Sequence, residues 1–430
     1  MYRPVEVVEV RIWGRKVGAV ALDPVLRHYA FEYDPKFIAS GFELSPLELP
    51  LSLTEPVVFT DLPEATYRRL PAMLADALPD EFGNALIDRW LAEQGVAKAA
   101  VTSLDRLAYM GKRGMGALEF KPERNPRRKG QATAIELSKL VESARRAMSA
   151  EVETDDQSVA ALRQIIDVGT SAGGARAKAA IAFNPSTREL RSGQFDVPAG
   201  FEHWLLKFDG LGKDSELGSA QHYGRIEYAY SLMAKAAGIT MTECRLWEEN
   251  GRAHFMTRRF DRDGAEKHHL QTLCAMAHLD YKQKATHGYL QLFQAIVQLD
   301  LGNDALEQAY RRMVFNALAC NCDDHTKNFS FRLKEGGHWE LAPAYDVTHA
   351  YNPHGEWTYQ HQMAIGGRFT EIAEAALLSD ASRAGVGRAR EIVGEVKDAV
   401  KQWADFAKEA GLPKEVRRFV QADFPAALLA

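Results

Sequence analysis

Cysteine is scarce in this chain of 430 residues: only Cys244, Cys274, Cys320 and Cys322 are present. They form no Cys-x-x-Cys pair and match no zinc-ligand spacing, which excludes a zinc ribbon and a disulfide framework. Reduced core thiols in a cytoplasmic protein follow as the expectation. Long apolar runs are missing too: no stretch approaches the about 20 residues that span a bilayer, and the N-terminus lacks a signal-peptide core. Nor does one sign of charge dominate. The 53 Lys and Arg against 58 Asp and Glu leave −5, which excludes a strongly basic nucleic-acid binder. There is no internal repeat, no low-complexity tract, and no Gly-Lys-Ser/Thr to close a Walker A loop.

What remains is a chain of ordinary apolar content (46%), too long for one hydrophobic core, so two or three lobes are expected. Residues 1–120 read as strands and short helices, with Val5 to Ile12 alternating as an edge strand does. A Pro/Arg-rich linker covers 121–133. Its Arg124, Arg127, Arg128 and Lys129 are either a solvated stretch or a contact for phosphate or DNA backbone. Leu137, Leu140, Val141 and Ala144 predict an amphipathic helix over 134–149, and 151–158 is acidic. Strands with one helix fill 160–262, and helices dominate from about 270. Two of those helices are expected around 392–410 and 414–430.

The most informative stretch is Asp323-Asp324-His325-Thr326-Lys327-Asn328, followed by an alternating pair of strand-like segments and then Tyr345-Asp346. Phosphoryl transfer needs such a set. Asp323 can accept the proton of an attacking hydroxyl, while Asn328 and Asp346 offer oxygen to a hard cation on nucleotide phosphates. Asn328 to Leu333 and Trp339 to Leu341 read as a hairpin about the turn 334–338, so pairing brings Asn328 and Asp346 to its open end. Protein kinases keep the same order of catalytic Asp, metal-binding Asn and metal-binding Asp. Here, however, no His-Arg precedes Asp323, and Tyr-Asp-Val replaces Asp-Phe-Gly. The neighbouring Asp324 is expected to raise the pKa of Asp323 by like-charge repulsion.

Upstream, Ser171-Ala172-Gly173-Gly174-Ala175-Arg176-Ala177-Lys178 is rich in small residues, and such a loop lets backbone N–H groups approach phosphates. A flexible turn is the alternative. Lys207, on the strand-like His203 to Phe208, can reach phosphates. Glu227, on a helix ending at Gly238, is the acidic partner expected for it. Arg258, Arg259 and Phe260 follow a further strand, where backbone can receive adenine.

Taken in order, Ser-x-Gly-Gly-Ala-Arg-x-Lys, the strand lysine, Arg-Phe-Asp-Arg, Asp-x-His-x-Lys-Asn-Phe-Ser and Pro-x-Tyr-Asp resemble the HipA family of bacterial toxin kinases over roughly 160–350. Arg11 to Gly18, Leu44-Ser45-Pro46-Leu47, Ala77-Leu78-Pro79-Asp80 and Gly111 to Leu118 are similar to motifs of that family's N-terminal part. The resemblance implies an α+β, bilobal protein-kinase-like fold. It comprises a HipA-type N-terminal subdomain and linker (1–133), a kinase N-lobe (134–265) and a mainly helical C-lobe (266–430). It further implies an ATP- and Mg²⁺-dependent Ser/Thr protein kinase acting as a toxin on a translation component such as an aminoacyl-tRNA synthetase. Its partners are a HipB-like DNA-binding antitoxin and a protein substrate, with DNA reached only through the antitoxin and no membrane involved. By position, Asp323 is the base, and Asn328 and Asp346 hold metal. Gly173, Gly174, Ala175, Arg176, Ala177, Lys178, Lys207, Arg258, Arg259, Phe260, His325, Lys327 and Asn328 bind ATP. Glu227 pairs with Lys207, and Ser171 is the site of inhibitory autophosphorylation. A small-molecule phosphotransferase of aminoglycoside or sugar type shares the catalytic order and is the alternative. A co-repressor with a vestigial kinase site is a third possibility, disfavoured by the intact residue set.

Overall fold

The structure is a computed structural model that describes residues 2–79, 81–124, 178–194, 197–209, 222–249 and 251–430. The expected helix over 134–149, the acidic stretch, Ser171 and Gly173 to Ala177 all lie outside the described residues. The chain divides into two compact units. One comprises Met1–Gly212, Arg258–Gln271 and Arg332–His338; the other comprises Lys213–Thr257, Thr272–Phe331 and Trp339–Ala430.

The first unit opens on strands β1 (Val7–Ile12) and β2 (Arg15–Leu22), joined through Trp13 and Gly14. Both turn residues have positive φ (47° and 75°), the two-residue turn whose twist suits a right-handed hairpin. With β3 (Tyr29–Tyr33) and β4 (Glu119–Lys121) the sheet order is β3-β2-β1-β4. β1 is therefore central, not the edge strand its alternation suggests, because β4 returns from far along the chain to cover its open side. Val8, Val10 and Ile12 are fully buried with Val17, Val20 and Phe31. The helix Ser103–Met110 is started by a capping box between Thr102 and Asp105, and the second carboxylate oxygen of Asp105 accepts from Val5 N–H at 2.9 Å. Farther on, β5 (Lys178–Phe183) is buried throughout and pairs antiparallel with β6 (Leu190–Ser192) and β7 (Glu202–Lys207).

The second unit holds the helix Tyr223–Ala236, the hairpin β8 (Cys244–Glu249) and β9 (Arg252–Arg258), and the packed helices Tyr289–Gln298, Gly302–Leu318, Glu374–Ala384 and Ala389–Lys401. Tyr230, Tyr289, Tyr310, Phe315 and Trp403 form its core. The helix expected over 392–410 breaks at Gln402 into Ala389–Lys401 and Trp403–Glu409. Seating the fully buried Trp403, whose indole N–H donates to Arg417 O at 3.0 Å, re-aims the chain there. The helix expected over 414–430 stops at Asp423, because Pro425 forces Phe424 into an extended conformation (ψ 134°), and a short helix, Ala426–Leu429, follows.

Two histidines, His254 and His269, are buried, and a third, His203, is half-buried. Burial pushes His254 and His269 down to about 4, and His203 also to about 4 with the Arg259 and Arg262 charges adding to the effect. An unfolded histidine titrates near 6.5. Between those values the unfolded chain binds protons that the folded one refuses, so this stability is complete above about 6.5 and declines toward 4. Thermal midpoints measured across that window are expected to fall with pH. His269→Gln, which keeps a donor for Leu44 O (3.0 Å in the native protein), should flatten the decline. An unchanged slope would show that His269 contributes nothing to it.

Candidate active site

Helix Gly302–Leu318 delivers the Asp-Asp-His-Thr-Lys-Asn stretch at its C-terminal end, where Cys320 takes positive φ (50°) to turn the chain. The loop is then clamped. Cys322 N–H donates to Ala350 O (2.9 Å) and Ala350 N–H to Cys320 O (3.1 Å), while Thr326 hydroxyl donates to Leu279 O (2.6 Å).

The two adjacent aspartates have opposite fates. The Asp323 side chain is 47% exposed, with His325 Nε2 at 3.7 Å from its carboxylate. The Asp324 side chain is 0% exposed and accepts from Tyr289 hydroxyl (2.8 Å), His361 Nδ1 (3.0 Å) and Gln362 N–H (2.7 Å). Asp324 is a buried anchor whose charge is answered by three donors of its own.

Asn328 donates its amide N–H to Asp323 O (2.6 Å), which leaves its Oδ1 as the group to offer a cation. Tyr345 hydroxyl donates to Lys327 O (2.6 Å) and receives the Ser330 hydroxyl proton, tying the segment before Asp346 to the loop that ends in Asn328. Asp346 itself has φ of 52°, an uncommon conformation for a residue with a side chain, sustained by its surroundings. Asn328 and Asp346 line one recess with Asn321, Asp324 and Arg312. Among the described residues no group of three or more His, Cys, Asp or Glu gathers for a metal. The donor set is thus one amide oxygen and one carboxylate. That fits Mg²⁺, which keeps most of its water and takes few protein ligands beside phosphates.

Of the other sequence-derived residues, Lys178 is not in a loop. It begins β5, is 2% exposed, and stands opposite Lys207 in the β5–β7 register. Lys207 ends β7 and is half-buried, whereas Glu227 is 2% exposed on its helix. Lys207 and Glu227 belong to different compact units. His325 packs on Tyr281 (ring centroids 5.2 Å apart), and Lys327 Nζ lies 4.9 Å from the same ring. In the segment proposed for adenine, Arg258 approaches Glu202 (3.6 Å), Arg259 N–H donates to His203 O (2.9 Å), and Phe260 O accepts from Arg332 (2.8 Å). A purine there must use other backbone groups.

The Arg-Phe-Asp-Arg motif has a structural task that its sequence did not reveal. Asp261 is fully buried and accepts from Arg259 Nε (2.9 Å) and Nη2 (2.7 Å), Arg262 Nη1 (2.6 Å) and Gly116 N–H (2.8 Å). Burial alone would raise its pKa, but the two guanidinium groups outweigh it and hold the carboxyl well below the usual range. Arg262 also donates to Gly114 O (3.0 Å) and Gly116 O (2.9 Å), so two separate short motifs of the sequence form one clasp. An aspartate between two arginines was the available signal.

A family model described as the HipA-like C-terminal domain matches residues 170–404, and one described as the HipA N-terminal domain matches residues 8–121. No curated protein gives a match. Among solved structures, the Shewanella oneidensis MR-1 toxin–antitoxin complex of HipA, HipB and operator DNA matches with a TM-score of 0.68 at 18% identity. The match covers 98% of this chain and 96% of that one. At that identity the likeness speaks for the fold, which is mixed α/β and kinase-like. The Helicobacter pylori proinflammatory kinase CtkA matches at a TM-score of 0.35 and 13% identity, over 58% of this chain and 92% of that one, too distant to carry weight. Among the described residues no helix is long and apolar enough to cross a membrane. With one family model spanning more than half its length and a second covering its first part, the chain belongs to the HipA family.

Proposed function

We propose that this chain is an ATP- and Mg²⁺-dependent Ser/Thr protein kinase of the HipA toxin type. The observation that carries it is the joint placement of Asn328 and Asp346 on one recess beside the half-exposed Asp323. Asp323 accepts the proton of the substrate hydroxyl, and its exposure leaves room for that hydroxyl to approach. Asn328, oriented by its bond to Asp323 O, and Asp346 would hold the cation, which supplies charge neutralisation on the phosphates when bound. Lys207 and Lys178 contribute positive charge toward the phosphates, with Gly173 to Ala177 as the phosphate loop. Glu227 is the partner of Lys207, and backbone near Arg258 to Phe260 receives adenine. Phosphorylation of Ser171 would place a dianion against that loop and oppose ATP.

The family membership and the partner present in the Shewanella complex support a HipB-like antitoxin that carries this chain to DNA. A translation component, such as an aminoacyl-tRNA synthetase, is the substrate class the family suggests, and the cytoplasm is the place of action. Purified protein incubated with radiolabelled ATP and Mg²⁺ should label itself, and a chelator added beforehand should prevent the labelling. Asp346→Ala should label at background. Label transfer only to added sugars or aminoglycosides, with none to protein, would instead establish the small-molecule phosphotransferase.

A further inference from the structure

Beneath the loop that carries Asp323, four side chains form a hydrogen-bond chain whose polarity is set from one end. The Asp324 carboxylate accepts from Tyr289 hydroxyl (2.8 Å). The Tyr289 oxygen then accepts from Asn316 Nδ2 (2.9 Å), and Asn316 Oδ1 accepts from Asn321 Nδ2 (2.9 Å). What remains at the far end is Asn321 Oδ1, an acceptor that is buried and has no partner among the described residues.

A second orphan lies nearby with the opposite need. Arg312 stands one helical turn before Asn316, on the same face of the helix Gly302–Leu318. It is buried, gives one N–H to Ala342 O (2.8 Å), and its Nε donor has no partner among the described residues. Leaving either group unmade is costly in a protein interior. Asn321 and Arg312 both line the recess that carries Asn328 and Asp346, and that recess can admit a water molecule.

We propose that one ordered water occupies the recess, accepts from Arg312 Nε, and donates one hydrogen to Asn321 Oδ1 and the other to the Asp346 carboxylate. Asn321 is thereby a positioning residue for the metal site: through that water it fixes the carboxylate that would hold the cation. Partners in the layer behind a metal ligand set its orientation, and losing one weakens metal binding by roughly 10- to 100-fold. The inference rests on Asp346 being a metal ligand, as in the function proposed above.

The test is the affinity of the full-length protein for Mn²⁺, titrated without nucleotide and followed by electron paramagnetic resonance. Asn321→Leu, close in shape but without polar atoms, should weaken Mn²⁺ about 10- to 100-fold. Asn321→Asp, which keeps an acceptor, should stay within about threefold of the native protein, since the water retains its partner. Native affinity in the leucine variant, or equal loss in both variants, overturns the proposal. If the leucine variant does not fold, Arg312→Lys removes the Nε donor while keeping the charge and should also weaken Mn²⁺; no change there overturns it. Asp346→Ala separates the two levels. Unchanged Mn²⁺ binding in that variant defeats the metal assignment itself, whereas its loss beside silent Asn321 and Arg312 variants defeats only the water.

Discussion

Replacing Asp323 by Ala is expected to lower phosphotransfer by about 10²- to 10⁴-fold, the range contributed by a positioned general base. The thermal midpoint should hardly move, because the side chain is 47% exposed. The neighbouring change has the reverse signature. Asp324→Ala removes a fully buried carboxylate and strands Tyr289 hydroxyl, His361 and Gln362 N–H, so it should destabilise the fold first and affect turnover only as a consequence. Steady-state labelling and melting curves on both variants make the comparison. Full activity in Asp323→Ala would remove it as the base, and a midpoint unchanged in Asp324→Ala would remove that residue as an anchor.

The second large effect concerns stability alone. Asp261→Ala leaves Arg259 and Arg262 buried with their common carboxylate gone, and breaking a buried ion pair from one side costs about 3–5 kcal/mol. Gly116 N–H loses its acceptor as well. Equilibrium denaturation should show that loss, with the acid-dependent part following a clear sign. The carboxyl is held below its unfolded value, so its stabilisation is present above about 4, where an unfolded Asp ionises, and is lost as pH falls toward the folded value. Asp261→Asn keeps the shape but not the charge, and should recover only part. A loss below about 1 kcal/mol in the alanine variant would mean that the clasp is relaxed by water or rearrangement.

Local signals were readable where local physics decides. The strand pair Ser330–Leu333 and Trp339–Leu341 and the helix through Glu227 follow from periodicity and turn chemistry, and the structure has them. Other features depend on partners the sequence does not name. β1 reads as an edge because nothing nearby shows that Glu119–Lys121 will pair with it. Lys178 reads as loop because small residues precede it, yet it begins a strand that is buried along its length. The continuous helix expected over 392–410 breaks because the indole of Trp403 finds its acceptor at Arg417, outside that helix.

The sequence by itself determined which chemical groups are available and in what order: a base-capable Asp323, then Asn328, then Asp346, with turn and strand patterns that return the last toward the second. It did not carry which of the two neighbouring carboxylates, Asp323 or Asp324, is buried, since identical side chains one residue apart have the same intrinsic polarity. Tertiary structure decided that. Tyr289, 35 residues earlier, and His361, 37 residues later, converge on one of the two carboxylates, while the other stays half-exposed. The physical reason is desolvation: a buried charge is tolerated only where donors meet it, and those donors are assembled by the fold.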